Sequence, residues 1–326
     1  MNNDEFRAAV EMMQNGKLNE AEQICRRIVR EPKADIVWSH LLARILFERG
    51  QQKEAIRTLQ KVVRVEPHNL ATLNDLGNML QEAGRNHEAV DVFQRLLKHS
   101  PRDAVALSNL SVALRQLGRA EEALQHLLRA VEINDQDPGT FLNLGNAFKQ
   151  LRKWGEAAEA FETHVRLSPK SSAGYQSLYH AYRQNNQLSD ARAALRRWHE
   201  LDPDSPIASH LVTAISAAPS PPRASNDYVL AVFDQFADSF DEELAELGYR
   251  VPVLMDHVLD DLFAKQEPGR IILDAGCGTG ACGKGLRKHA RRLVGVDISP
   301  RMLAIAQSKQ LYDELIESEL TAYMQQ

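Results

Sequence analysis

Cysteine is scarce in this chain, and the three cysteines present, Cys25, Cys277 and Cys282, form no CxxC pair. No disulfide framework is therefore expected. The eleven histidines are scattered without ligand spacing, so no metal site is expected either. No apolar run approaches the roughly 20 residues needed to cross a bilayer. The opening Met1-Asn-Asn-Asp-Glu5 is polar and acidic, unlike a secretory leader. Excess positive charge is missing too: the formal net charge is −5, which argues against a general nucleic-acid binder. The acidic excess sits late in the chain, with 17 acidic and 11 basic residues from Arg223 to Gln326. These absences point to a cytoplasmic protein with no membrane and no nucleic-acid partner. What remains is ordinary globular composition, 44% hydrophobic and 25% charged, over 326 residues, enough for two domains.

The first two thirds repeat. Alanine recurs at positions 21, 55, 89, 123, 157 and 191, and glycine at 16, 50, 84 and 118. Proline falls at 67, 101, 169 and 203, with Asp135 in the intervening slot and Pro32 one residue out of register. The small alanine suits a close crossing of two helices. The glycine suits the left-handed end of a first helix, and the proline a break before the next repeat. Asn74-Asp-Leu-Gly77, Asn109-Leu-Ser111 and Asn143-Leu-Gly145 carry a shared first-helix pattern. A fixed period with these landmarks resembles the tetratricopeptide repeat, a helix-turn-helix solenoid unit. Six repeats are expected over about 2–205, the first two with Ala9 and Ala43 where a glycine is usual. Cys25 falls on an apolar helix stripe and is expected in the core.

In such a solenoid the first helices line a groove. Asp75, Asn109 and Asn143 share one slot; Asn78 and Asn146 share another. These five side chains are candidates for binding the backbone of an extended peptide. The competing reading is that they simply solvate the groove.

Residues 205–215 are expected to form a short helix that caps the array, giving a first domain over 2–216. Three prolines and three serines in 216–225 mark a semi-extended linker, placed at 217–226. The second domain then runs over 227–326. Its start reads as amphipathic helices, with Phe233, Phe236 and Phe240 at helical spacing. From Arg270 strand and helix alternate: strands at 270–274 and 292–297, a helix at 282–289 between them, then a helix capped by Ser299 and opened by Pro300. A third strand is expected at 314–318.

The most informative stretch is Ile271-Ile-Leu-Asp-Ala-Gly-Cys-Gly-Thr-Gly280, an apolar strand ending in an acid and three alternate glycines. The next strand, Arg292-Leu-Val-Gly-Val-Asp297, also closes on an acid. Parallel α/β sheets present nucleoside-like ligands at such strand ends. Together with Phe233-Asp-Gln-Phe-Ala-Asp-Ser-Phe-Asp241 and Gly295-Val-Asp-Ile-Ser-Pro300, the segment resembles the Rossmann-like S-adenosylmethionine-dependent methyltransferases. The fold class expected is thus an all-α superhelical solenoid followed by a partial α/β Rossmann-like domain. The resemblance implies a cofactor site made of Asp274, Ala275, Gly276, Cys277, Gly278 and Gly280 around the methionyl part and sugar. It further implies Asp297 on the ribose hydroxyls, Ile298 beside the adenine and Glu319 on the adenine amino group. S-adenosylmethionine is the cofactor implied, and the repeats would recruit a protein or peptide partner. No general base is identified, and the oligomeric state and methyl acceptor stay open. A complete domain of that family has more strands than the three readable here, so the segment reads as an incomplete or a degenerate copy.

Two rivals use the same residues. Gly278-Thr-Gly-Ala-Cys-Gly283 with Asp297 downstream fits a dinucleotide fingerprint and hence a nicotinamide-dependent dehydrogenase. Asp274 and Gly276 ahead of it favour the sulfonium donor. The other rival is a non-catalytic peptide-binding repeat protein with a degenerate second domain.

Overall fold

In the computed structural model, which describes residues 3–31, 36–216, 223–263 and 269–325, the chain forms two compact units, Met1–Leu201 and Asp202–Gln326.

The first unit is six antiparallel helix pairs. They are α1 (Asn3–Gln14) with α2 (Leu18–Val29), α3 (Ile36–Glu48) with α4 (Gln52–Val65), and α5 (Leu70–Glu82) with α6 (Asn86–His99). The series continues with α7 (Ala104–Gln116) and α8 (Ala120–Ile133), α9 (Pro138–Gln150) and α10 (Trp154–Leu167), and α11 (Ser172–Gln184) and α12 (Leu188–Leu201). The period is physical as well as textual. Asn69, Asp103, Asp137 and Ser171 each cap a first helix, their side chains accepting the backbone N–H of Thr72, Ala106, Thr140 and Gly174. The turn inside each pair holds one residue at positive φ: Gly16, Gly50, Gly84 and Gly118, then Arg152 at 57° and Asn186 at 60°. The last two show that the turn persists where glycine is lost, at a strain cost of about 1–2 kcal/mol for Arg152 and less for asparagine, which tolerates this region.

The recurring alanines are buried at each helix crossing. Beside them, residue size is matched across the pair. A Cβ on Gly77 would lie 2.6 Å from the Phe93 ring, and one on Gly145 would lie 2.4 Å from the Phe161 ring. The corresponding positions of the first two repeats hold Ala9 and Ala43, which share clusters with the smaller Cys25 and Leu59. The missing early glycines are therefore a consequence of smaller partners.

The second unit begins with α13 (Pro206–Ile215), capped by Ser205. This is the helix expected to close the array; in the structure it contacts α14 (Asn226–Phe236), with His210 stacked on Tyr228 at 3.8 Å. Residues 217–222 of the expected linker lie outside the described residues. Next come α15 (Phe240–Glu246) and α16 (Val251–Phe263). The alternating part is β1 (Arg270–Ala275), α17 (Gly283–His289), β2 (Ala290–Asp297), α18 (Pro300–Ser308), β3 (Glu314–Glu317) and α19 (Leu320–Met324). The strands form one parallel sheet in the order β1-β2-β3, with Asp274 opposite Gly295 and Asp297 opposite Glu317. Leu286, Ala290 and Leu293 form its core against α16. Ser299 caps α18 and Pro300 opens it, as the sequence requires. Among the described residues no helix is long and apolar enough to cross a membrane.

Candidate functional site

Where β1 ends, the chain turns through Gly276, Gly278 and Gly280, at φ 74°, 52° and 80°. Other residues rarely adopt such angles. The turn is pinned from below: the N–H groups of Gly276 and Cys277 both donate to the Val296 carbonyl, at 2.8 and 3.1 Å. A Cβ on Gly276 or Gly278 would meet nothing within 4 Å, so this loop borders open space. That space is a cavity of about 660 Å³ at the carboxyl ends of β1 and β2.

Asp274, Gly276, Cys277, Gly278, Asp297, Ile298 and Glu319 all line it, while Ala275 and Gly280 do not. Gly280 sits behind the loop, where a Cβ would press on Tyr312 at 3.0 Å. Asp297 holds the loop together: Oδ2 accepts the Gly278 N–H at 2.8 Å and Oδ1 the Ser299 N–H at 2.9 Å. Each oxygen keeps a further lone pair for a ligand. Glu319 caps α19 through the Ala322 N–H at 2.9 Å, and its other oxygen stands 3.6 Å from Arg223.

Asp274 lies deeper. Its Oδ2 accepts the Tyr312 hydroxyl at 2.6 Å. Burial raises its pKa; the Tyr312 hydrogen bond lowers it, and the Asp297 charge raises it again, so the carboxyl stays above its ordinary range. Such a group gains from a bound cation. Burial, reinforced by Asp274 and then Asp297, pushes the Cys277 thiol up to about 12, which keeps it an inert wall.

The roof comes from α14 and α15. Phe233, Phe240, Leu244 and Tyr249 line the cavity, and Arg250 does not. Three aspartates of the 233–241 stretch fasten this roof to the glycine loop and to α18 with its flanking residues. Asp234 accepts the Ser299 hydroxyl at 2.5 Å, and its carbonyl accepts Arg301 at 2.8 Å. Asp238 also takes Arg301, while Asp241 takes the Thr279 hydroxyl and Lys309. These acids carry no local signal in the sequence, because their partners lie more than thirty residues away. Arg223, Asn226, Met302 and Leu320 also line the cavity, and spacing did not reveal them.

In the repeat groove, four of the five candidate side chains are already hydrogen-bonded to neighbours. Asn109 Nδ2 donates to Asn78 Oδ1 at 2.9 Å and to Asn74 Oδ1 at 3.3 Å. Asn143 Nδ2 donates to Ser108 Oγ at 3.0 Å, and Asp75 pairs with His40 at 2.9 Å. Asn146 is half-buried on α9. A cavity of about 560 Å³ takes in Asp75 and Asn78 together with Phe6, His40 and Phe47.

Residues 74–138 and 142–206 match one family model described as Tetratricopeptide repeat, and residues 40–69 match another of the same description. Residues 272–323 match a family model described as Methyltransferase domain. The chain is 38% identical over 87 residues to human Methyltransferase-like protein 27, covering 26% of this chain and 36% of that protein. It is 26% identical over 117 residues to Malonyl-[acyl-carrier protein] O-methyltransferase of Yersinia pestis, covering 35% of this chain and 40% of that one. The chain thus spans well under half the length of these curated relatives. A tetratricopeptide repeat protein from Parabacteroides merdae superposes with TM-score 0.57 at 15% identity, over 78% of this chain and 96% of that one. PilF of Pseudomonas aeruginosa gives TM-score 0.55 at 15% identity, over 66% of this chain and 97% of its own. The chain therefore carries tetratricopeptide repeats followed by a small methyltransferase-like region with three parallel strands.

Proposed function

We propose that the second unit binds S-adenosylmethionine as a methyl donor, and that the repeat array recruits the protein which the transfer serves. One observation carries this reading: the glycine loop, Asp274 and Asp297 border a single cavity at the carboxyl ends of two parallel strands. The residues present fit the donor. Positive-φ glycines leave room for a ligand to approach the backbone. Asp274, held above its usual range by burial, suits the donor's ammonium group. Asp297 has acceptor capacity left for ribose hydroxyls, and Phe233, Val296, Ile298 and Leu320 supply apolar walls for a base. Bound there, the donor would supply a methyl carbon already activated by its sulfonium charge, so the protein's work is chiefly positioning. The lining carboxylates, Asp274, Asp297 and Glu319, outnumber Arg223, which suits a cationic donor and disfavours the pyrophosphate of a dinucleotide. We assign the protein to the cytoplasm in the same reading, in keeping with three free thiols.

The test is calorimetric titration of the full chain with S-adenosylhomocysteine. Binding at about micromolar affinity, lost in Asp297→Ala and partly kept in Asp297→Asn, is expected. A folded chain that binds none overturns the donor reading and leaves the repeats as the functional part.

A further inference from the structure

Three cations share one column of the repeat array. Arg115, Lys149 and Arg183 stand at successive repeat intervals, in the last turns of α7, α9 and α11. His180 lies three residues before Arg183, on the same face of α11. The same column in the two preceding repeats holds Phe47 and Gln81, so the positive stretch belongs to the later half of the groove.

Several arginines elsewhere on the array find carboxylates. Arg26 and Arg49 pair with Glu22, Arg85 with Glu88, Arg119 with Glu122 and Arg197 with Glu200. The column does not. Among the described residues none of its three cations forms an ion pair with an acid. Arg115 has its Nε buried without a partner. Arg183 meets Tyr179, its hydroxyl at 3.4 Å and its ring face with the centroid 5.8 Å from the guanidinium carbon.

The groups feel one another instead. Burial lowers the Lys149 pKa and the Arg115 charge lowers it further. Burial, then Lys149, then Arg183 bring His180 down to about 4. Like charges gathered without counterions cost stability, and an incoming anion relieves that cost.

We propose that the later half of the repeat groove binds an extended acidic protein segment, its carboxylates seated on Arg115, Lys149 and Arg183. This rests on the recruitment part of the reading above and is independent of the donor part. Neighbouring helices pack about 8–10 Å apart. An extended chain rises about 3.3 Å per residue. Successive rungs therefore match acidic residues about three apart. Asn143 and Asn146, on α9 between the outer rungs, suit the backbone of such a segment.

The experiment is fluorescence anisotropy with the full chain and a labelled twelve-residue peptide bearing glutamate at every third position. Its glutamine twin is the control, and a single-stranded oligonucleotide of equal charge is the competitor. The variants are Lys149→Gln and Arg183→Gln, singly and together, and circular dichroism checks that the array stays folded. The glutamate peptide should bind at least about tenfold tighter than its twin, and the double variant should lose about that factor. High salt should weaken binding as well. Equal binding of the two peptides would overturn the acidic segment while leaving recruitment of neutral peptides standing. Failure of both to bind, or no effect of the double variant, would overturn the proposal. So would full competition by the oligonucleotide, which would point to a phosphate polymer.

Discussion

Replacing Tyr312 by phenylalanine removes one oxygen from the second unit. The ring stays, so its packing over Gly280, Gly283 and Gly295 is kept. What goes is the 2.6 Å hydrogen bond to Asp274 Oδ2. A hydrogen bond to a charged acceptor contributes about 1.5–3 kcal/mol, and one to a neutral acceptor about 0.5–1.5 kcal/mol. The loss should therefore depend on pH, and its sign follows from linkage. The folded pKa of Asp274 is already above its ordinary value because burial outweighs the Tyr312 bond. A carboxyl raised in this way leaves the folded state most stable below the unfolded pKa and erodes it as pH climbs through the folded one. Without the hydroxyl the folded pKa rises further, so the erosion deepens. The Tyr312→Phe deficit should be small in acid and full at neutral pH. Trp38, Trp154 and Trp198 all lie in the repeat unit, so tryptophan fluorescence would miss it. Hydrogen exchange of peptides covering β1 and β2 reads it directly. Protection should fall about ten- to a hundredfold at neutral pH, after correction for intrinsic rates. Unchanged protection at neutral pH, or a larger deficit in acid, would refute the argument.

Two further outcomes follow from the packing. Gly145→Ala should destabilise the array by about 1–3 kcal/mol in denaturant unfolding, because the new methyl overlaps the fully buried Phe161 ring; adding Phe161→Leu should recover part of the loss, and a net gain from the alanine alone would contradict the overlap. Cys277 and Cys25, with pKa values pushed up to about 12 and 11, should alkylate far more slowly at neutral pH than an unfolded peptide thiol; rapid native labelling of either, followed by mass spectrometry, would show that the burial is wrong.

The period of the array was legible because landmark residues mark a backbone geometry that recurs whether or not the landmark does. Gly16 to Gly118 announce the left-handed turn, and Asn186 has asparagine's known preference for it, but Arg152 adopts it with nothing in its chemistry to advertise it. The size match between Gly145 and Phe161 needs both helices at once and is invisible along one. At the second site, the glycine loop reads directly because its residues are consecutive. Tyr312 on Asp274, Asp234 on Ser299 and Asp241 on Thr279 do not, since each joins elements far apart in sequence. The cation column is hidden for another reason: it mixes arginine with lysine, and it gains meaning only because, among the described residues, none of the three forms an ion pair.

The three strands step across the sheet in one direction, β1 to β2 to β3. Crossovers between parallel strands are right-handed almost without exception, so two steps in the same direction place α17 and α18 on the same side. The other side receives no helix from this walk. That is why alternate residues of β1 are left bare, with Ile271 63% and Leu273 40% exposed. Lengthening the sheet beyond β3 in the same sense would never cover them. A reversal of direction, a parallel strand on the far side of β1 reached from β3, would swing its connecting helix over Ile271 and Leu273. The handedness of two short connections thus decides which half of this small sheet is finished and which is still a surface.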